Sequence, residues 1–341
     1  MKRLLIALSF IICHLSLSVA QTRINADGTV TFQYKNDQAK EVLVDVQFAG
    51  RNAMQRDEQT GLWTVTLGVK GDVKAPVAPD MYPYCFIVDG VSVMDPENPQ
   101  YFPNEGFKNS LLEIPGKDGL AHDIKNVPHG QLEYIHYYSK SLGATNQAVV
   151  YLPPKYKENK DKKYPVFYLI SGTTDTEEVY YKVGRVNYIL DNLLAEGKAE
   201  EMIVVLPYGN PYKLLPAQPT MGLGGMPQTR FGGDVFSLDL NNDLMPYVES
   251  HYRTINDKDH RAIGGFSRGG NQGLFNGLSH LDKFSYLCSY SSFTSTDIPN
   301  VYDNAADTNS KIRLFWLGVG TDDFLFGNAR DSMGKVLKEH P

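Results

Sequence analysis

Arg261-Ala262-Ile263-Gly264-Gly265-Phe266-Ser267-Arg268-Gly269-Gly270-Asn271-Gln272-Gly273-Leu274-Phe275-Asn276-Gly277-Leu278 sets the fold class of this chain. Its first six residues form a short apolar run of strand length, and Leu274, Phe275 and Leu278 follow at helical spacing. Between them Gly265-Phe266-Ser267-Arg268-Gly269 matches G-x-S-x-G, the nucleophile-elbow pattern. That pattern carries meaning only where a strand, a sharp turn and a helix follow one another, as they do here. The turn forces Ser267 into strained backbone angles, and neighbours without a Cβ let strand and helix approach closely. The helix then directs free N–H groups and the positive end of its dipole at the serine. Ser267 is therefore the candidate nucleophile. The competing reading is a glycine-rich turn in an inert Rossmann-like domain.

On either side of this stretch, apolar strands alternate with amphipathic helices. Strands are expected at Ala148–Leu152, Val166–Ile170, Met202–Leu206, Ala262–Phe266, Tyr286–Tyr290 and Leu314–Val319. Helices are expected near Val183–Ala199, Phe236–His251, Arg268–Leu278 and Ala329–Glu339. Continuous apolar strands separated by helices imply a parallel sheet covered on both faces, an α/β fold of the α/β-hydrolase type. The segment from Tyr208 to Gly233 breaks the rhythm; it is long and rich in glycine and proline, with Met221, Met226 and Arg230. A long loop after a sheet strand is usually functional.

The front of the chain reads differently. From Arg23 to about Pro115 short alternating strands recur, among them Thr29–Tyr34, Val42–Phe48, Trp63–Leu67 and Tyr82–Val88. Turn signals separate them, and Asp89-Gly90 reads as a hairpin turn. This is the pattern of a small all-β, immunoglobulin-like sandwich. The expected domains are thus a leader at 1–20, a sandwich at 21–115, a polar linker at 116–130 and a hydrolase domain at 131–341.

Composition narrows the function classes. The 341 residues suffice for two domains, and a net charge of −6 gives no footing for nucleic acid. Met1-Lys2-Arg3, the apolar run Leu4–Ala20 and Ser18-Val19-Ala20 before Gln21 fit a cleaved secretory signal, so the protein is expected to be secreted or periplasmic. The run is short for a membrane span, and none is expected after cleavage. Cys13 lies in this leader; Cys85 and Cys288 fall in different domains and are expected to be free, buried thiols.

A serine hydrolase on this fold needs an acid, a base and oxyanion donors, with serine, acid and histidine in that chain order. The strand Leu314–Val319 ends in Gly320-Thr321-Asp322-Asp323, so two carboxylates sit at its tip; Asp323 is the candidate acid. No base is equally plain. Only residues 324–341 follow the acid, and His340 is their single histidine. His122, His129, His136, His251, His260 and His280 all read as surface histidines. The expectation is a hydrolase domain that stops short, lacking its C-terminal strand and helix. One oxyanion donor should be the backbone N–H of Arg268. The second should come from Ser171-Gly172-Thr173, with Thr173 favoured and Gly172 the alternative. No metal or cofactor is required.

Tyr164-Pro165-Val166-Phe167-Tyr168-Leu169, Ile189–Gly197, Met202–Pro207, the elbow decapeptide and Leu281-Asp282-Lys283-Phe284 together resemble the putative-esterase (esterase D-like) family. This is the fold of carbohydrate esterase family 1, which includes feruloyl and acetylxylan esterases. The resemblance covers about Leu132 to the C-terminus. It implies Ser267 as nucleophile, Asp323 as acid and an ester-decorated carbohydrate as substrate. Two departures stand out. Many relatives carry His-Gly where this chain has Ser171-Gly172, and the family histidine follows the acid by a strand and a loop. Val88-Asp89-Gly90 and Asp95-Pro96-Glu97-Asn98-Pro99 resemble an early-set, family 48 carbohydrate-binding-type sandwich, which implies either a glycan-binding or a packing module. Against the esterase reading stand a catalytically impaired fragment or a non-catalytic glycan-binding protein, and a peptidase on the same fold.

Overall fold

A computed structural model describes residues 21–68, 76–117, 119–215, 233–292, 298, 301–321 and 323. The chain divides into two compact units. The first runs to Gln100 and includes Asn109–Ile114; the second takes Tyr101–Lys108 and everything from Pro115 onward.

The first unit is all β. One sheet pairs Arg23–Ile24, Val30–Lys35, Leu62–Leu67 and Gln55–Asp57, and the other pairs Gly50–Ala53, Val42–Val46, Asp80–Val88 and Asn109–Ile114. Alternation puts Val30, Phe32, Val44, Val46, Trp63, Tyr84 and Phe86 into one core. Asp89 and Gly90 both take positive φ, 47° and 85°, and Val88 pairs with Val91 across them, so the hairpin is as expected. The Asp95–Asn98 segment is a clasp. Tyr84 Oη donates to Asp95 Oδ2 at 2.7 Å, and Asn98 Nδ2 donates to Tyr84 Oη and to the Leu111 carbonyl. Cys85 is a free, buried thiol of this unit.

The second unit is built on a seven-stranded sheet: β1 (Gln131–Ser139), β2 (Ala144–Leu152), β3 (Val166–Ile170), β4 (Ile203–Pro207), β5 (Arg261–Phe266), β6 (Tyr286–Tyr290) and β7 (Leu314–Gly318). Their spatial order is β1-β2-β4-β3-β5-β6-β7. The first two run antiparallel to their neighbours, and β4, β3, β5, β6 and β7 are mutually parallel. Sequence periodicity does not anticipate β1, because it is an edge strand and only Ile135, Tyr137 and Ser139 of it are buried.

Successive residues feed two cores, one on each face. Val149, Tyr151, Leu169, Val204 and Leu206 pack with Leu190 of α2 (Val186–Ala195), which follows the short helix α1 (Val179–Lys182). Val150, Val166, Tyr168, Ile170, Val205 and Ile263 pack on the other face against Phe236, Leu240, Leu244 and Val248. Those last four lie on a continuous helical run: α3 (Gly233–Asp239), a π turn (Leu240–Leu244) and α4 (Met245–His251). Pro246 at the start of α4 lacks an N–H for the usual i→i−4 bond, which accounts for the wider turn before it. This double cover is the α/β-hydrolase architecture expected from the sequence. The polar stretch before β1 is tied down rather than slack: Asn192 Nδ2 donates to the Ala121 and Asp123 carbonyls, and His129 Nδ1 bonds Asp191 at 2.9 Å. The helix expected at Ala329–Glu339 lies outside the described residues.

Backbones come close together where β5 meets α5 (Arg268–Ser279) and the end of β3. A Cβ on Gly265 would fall 2.3 Å from the Ile170 carbonyl oxygen and 2.6 Å from the Gly269 carbonyl carbon. Both obstacles are backbone and cannot swing aside. Gly265→Ala is therefore expected to cost about 1–3 kcal/mol, toward the upper end of overpacking penalties. Urea unfolding followed by circular dichroism measures it, and an unchanged midpoint would contradict the close-approach account.

Candidate active site

All five parallel strands end on one edge of the sheet, and the candidate residues are distributed along it. Ser267 follows β5 with φ 54° and ψ −120°, outside the regions a residue with a Cβ normally occupies. Two bonds fix the turn: Ser267 N–H donates to the Tyr290 carbonyl at 2.9 Å, and the Ser267 carbonyl accepts from Asn271 N–H at 3.0 Å. The serine thus caps the twelve-residue helix α5, with Arg268 as its first helical residue.

The loop after β3, Ser171-Gly172-Thr173-Thr174-Asp175, lies directly beside this turn. A Cβ on Gly269 would meet the Ile170 and Ser171 carbonyl oxygens at 2.2 and 2.4 Å. The Gly172 N–H donates to Asp175 Oδ2 at 3.2 Å. The loop after β4 joins the group through Gly209 and Asn210; Asn210 is fully buried. Of the long segment expected at Tyr208–Gly233, residues 216–232 lie outside the described part.

Asp323 follows β7 on the same edge, and its N–H donates to the Gly320 carbonyl at 3.2 Å. β6 stands between β5 and β7, so at usual strand spacing the two strand ends are about 10 Å apart. Ser291 bridges that interval: its N–H donates to the Gly318 carbonyl at 2.7 Å. Asp322 lies outside the described residues. Cys288, on β6, is a half-buried free thiol whose pKa burial pushes up to about 11.

The six described histidines stand elsewhere. His280 ends α5, a helix about 18 Å long by its rise. His260 precedes β5, at the opposite end of that strand, bonded to Asp257 at 2.7 Å. His251 stacks on Tyr247 with ring centroids 3.9 Å apart. His129 and His122 belong to the polar stretch before β1. His136 is on the edge strand β1, four strands from β5 and so about 19 Å away. His340 lies outside the described residues.

A polar network around the site escaped the sequence reading. Asn104 Nδ2 donates to Asp175 Oδ1 at 2.8 Å. Glu105 accepts from Tyr208 Oη, from Lys213 Nζ and, at 3.0 Å, from Asn210 Nδ2. Behind it, Glu177 accepts from Gln147 Nε2 at 2.7 Å. Asn104 and Glu105 come from the stretch between the last sandwich strands, far away in sequence, so no local pattern could have signalled them. Among the described residues no cluster of three or more His, Cys, Asp or Glu is placed to hold a metal ion, and no helix is long and apolar enough to cross a membrane.

A mixed sheet with a serine in a strained strand–helix elbow defines the α/β-hydrolase class. The chain belongs to the putative-esterase family, whose model matches residues 139–333. It is 30% identical over 270 residues to an endo-1,4-beta-xylanase/feruloyl esterase of Xylanibacter ruminicola, an alignment covering 77% of this chain and 35% of that one. It is 29% identical over 157 residues to endo-1,4-beta-xylanase Y of Acetivibrio thermocellus, covering 43% of this chain and 13% of that one. The chain thus spans about a third or less of the length of these curated relatives. Among solved structures, a CE1 ferulic acid esterase from Anaeromyces mucronatus is 27% identical with a TM-score of 0.52, covering 64% of this chain and 82% of that one. The enterobactin esterase of Shigella flexneri shares the fold over 94% of this chain and 88% of its own, with a TM-score of 0.62 and 18% identity.

The buried carboxyls give the site a pH signature. Burial raises the Asp175 carboxyl above its usual 3.8 and the Glu177 carboxyl above its usual 4.5. The folded protein then holds protons that the unfolded chain releases. Their contribution to stability is full below those usual values and is lost as pH rises through the raised ones. Asp175→Asn should therefore gain on the wild type in unfolding free energy as pH climbs above 3.8. Urea titrations at several pH values between about 4 and 7 test this, and a constant gap between the two proteins would contradict it.

Proposed function

We propose that this protein is an exported serine esterase that hydrolyses feruloyl or acetyl esters on plant-type polysaccharides or oligosaccharides through an acyl-enzyme on Ser267. The observation that carries the reading is Ser267 itself, held at φ 54° at the head of α5. The similarity to a xylanase/feruloyl esterase over 77% of the chain supports the substrate class.

In this mechanism Ser267 Oγ attacks the ester carbonyl carbon while a histidine base takes its proton. The carbonyl oxygen becomes an oxyanion and accepts from the Arg268 and Thr173 N–H groups. Collapse expels the sugar alkoxide, which takes the proton from the base, and water then clears the acyl group by the same steps. Asp323 orients the base and balances its positive charge. The sandwich is either a glycan-binding or a packing module, and export follows from the leader at 1–20.

One observation favours a second reading, a catalytically impaired or glycan-binding protein: none of the six described histidines stands at Ser267. Hydrolysis of an aryl acetate and of methyl ferulate, with Ser267→Ala beside the wild type, separates the two. The esterase reading expects kcat to fall by about 10³-fold or more in the variant. Equal rates in both proteins would reject it, and retention on xylan-type oligosaccharides would then decide for binding.

A further inference from the structure

The backbone N–H of Arg268 has a role in the elbow, but its side chain does not, and that side chain is where the site's loops converge. Its guanidinium donates to the Gly172 carbonyl at 2.6 Å and to the Ser171 carbonyl at 3.2 Å through Nη2. Through Nη1 it donates to the Gly209 carbonyl and to Asn210 Oδ1. Asn210 in turn donates from Nδ2 to the Thr173 carbonyl at 3.0 Å. Three successive carbonyls of the loop after β3 are thus held by one cation and its amide partner.

Space is reserved for this arrangement. A Cβ at Gly209 would lie 2.4 Å from Arg268 Nη2, so a side chain there would displace the guanidinium from this position. The Arg268 Nε is sealed from solvent. Burial lowers the guanidinium pKa to about 10, which still leaves a cation at neutral pH, with Asp175 and Glu105 nearby to favour the charge.

Peptide geometry turns this grip into aim. In a planar trans peptide the C=O of one residue and the N–H of the next point in opposite directions. Holding the Ser171 carbonyl toward the guanidinium sends the Gly172 N–H the other way, where Asp175 Oδ2 accepts it. Holding the Gly172 carbonyl does the same to the Thr173 N–H, which meets no acceptor among the described residues. One donor of the loop is consumed internally and the next is left open.

We infer that the Arg268 side chain is a positioning residue, which aims the Thr173 N–H at the oxyanion by holding the Ser171 and Gly172 carbonyls from behind. This rests on the esterase reading and deepens it: one residue supplies an oxyanion donor from its backbone and orients the second with its side chain. Lysine is a poor substitute, because a single ammonium cannot match the planar, forked contact with three carbonyls and an amide oxygen.

The test is steady-state hydrolysis of an aryl acetate by wild type, Ser267→Ala, Arg268→Ala and Arg268→Lys, each checked for native circular dichroism. Arg268→Ala is expected to lose about 10- to 100-fold in kcat, part of the value of a full oxyanion donor, with KM within about twofold. Guanidinium chloride at tens of millimolar, but not potassium chloride, should restore part of that loss. Arg268→Lys should lose kcat in the same direction by a smaller factor. If Arg268→Ala fails to fold, Arg268→Lys decides alone. Ser267-dependent wild-type turnover with an Arg268→Lys kcat equal to wild type, or a loss that appears only in KM, would overturn the positioning role and leave the esterase reading standing. Turnover indifferent to Ser267→Ala would overturn both.

Discussion

Ser267 can keep its strained backbone only while β5 behind it and α5 ahead of it are pressed into backbone contact with the end of β3. That contact excludes any Cβ at Gly265 and Gly269, because carbonyl oxygens of Ile170 and Ser171 occupy the space. The strain at one residue is therefore held by the packing of three elements. The cores of the sheet supply the force: side chains on both faces fix β3, and Ile263 anchors β5 in one of them, so that their ends cannot drift apart. The rest of the site follows from where these strands stop.

The part of this organisation that depends on local pattern was readable in the sequence. Apolar runs of strand length and the glycine-serine elbow carry their own signals, because burial on both faces and a forbidden φ each demand particular residue types at adjacent positions. The strand β1 was missed for a physical reason. It is an edge strand with Tyr134, His136 and Tyr138 facing solvent, so its buried residues are too few to mark it.

The site shows the same division. The places of the candidates Ser267 and Asp323 are legible because each follows an apolar strand. The partners that shape the loop after β3 are not. Asn104 meets Asp175, and Glu105 meets Asn210, across more than seventy and more than one hundred positions of chain. Nothing in the residues around Asn104 distinguishes that stretch from any other turn between two strands. The Arg268 side chain was hidden in another way: within the elbow pattern its position is a free x, and only the folded loops reveal that it is enclosed by four acceptors.

The assignment of Tyr101–Lys108 to the second unit has a consequence for how such a protein can be cut and recombined. The polypeptide leaves the sandwich after Gln100 and returns to it at Asn109, so the two units are interleaved along the gene rather than strung end to end. No single cleavage point separates them intact. A break placed after Ile114, where the sandwich's last strand ends, would carry Asn104 and Glu105 away with the wrong half and strip Asp175 and Asn210 of partners. Shuffling the hydrolase unit onto other front modules would require that eight-residue excursion to travel with it.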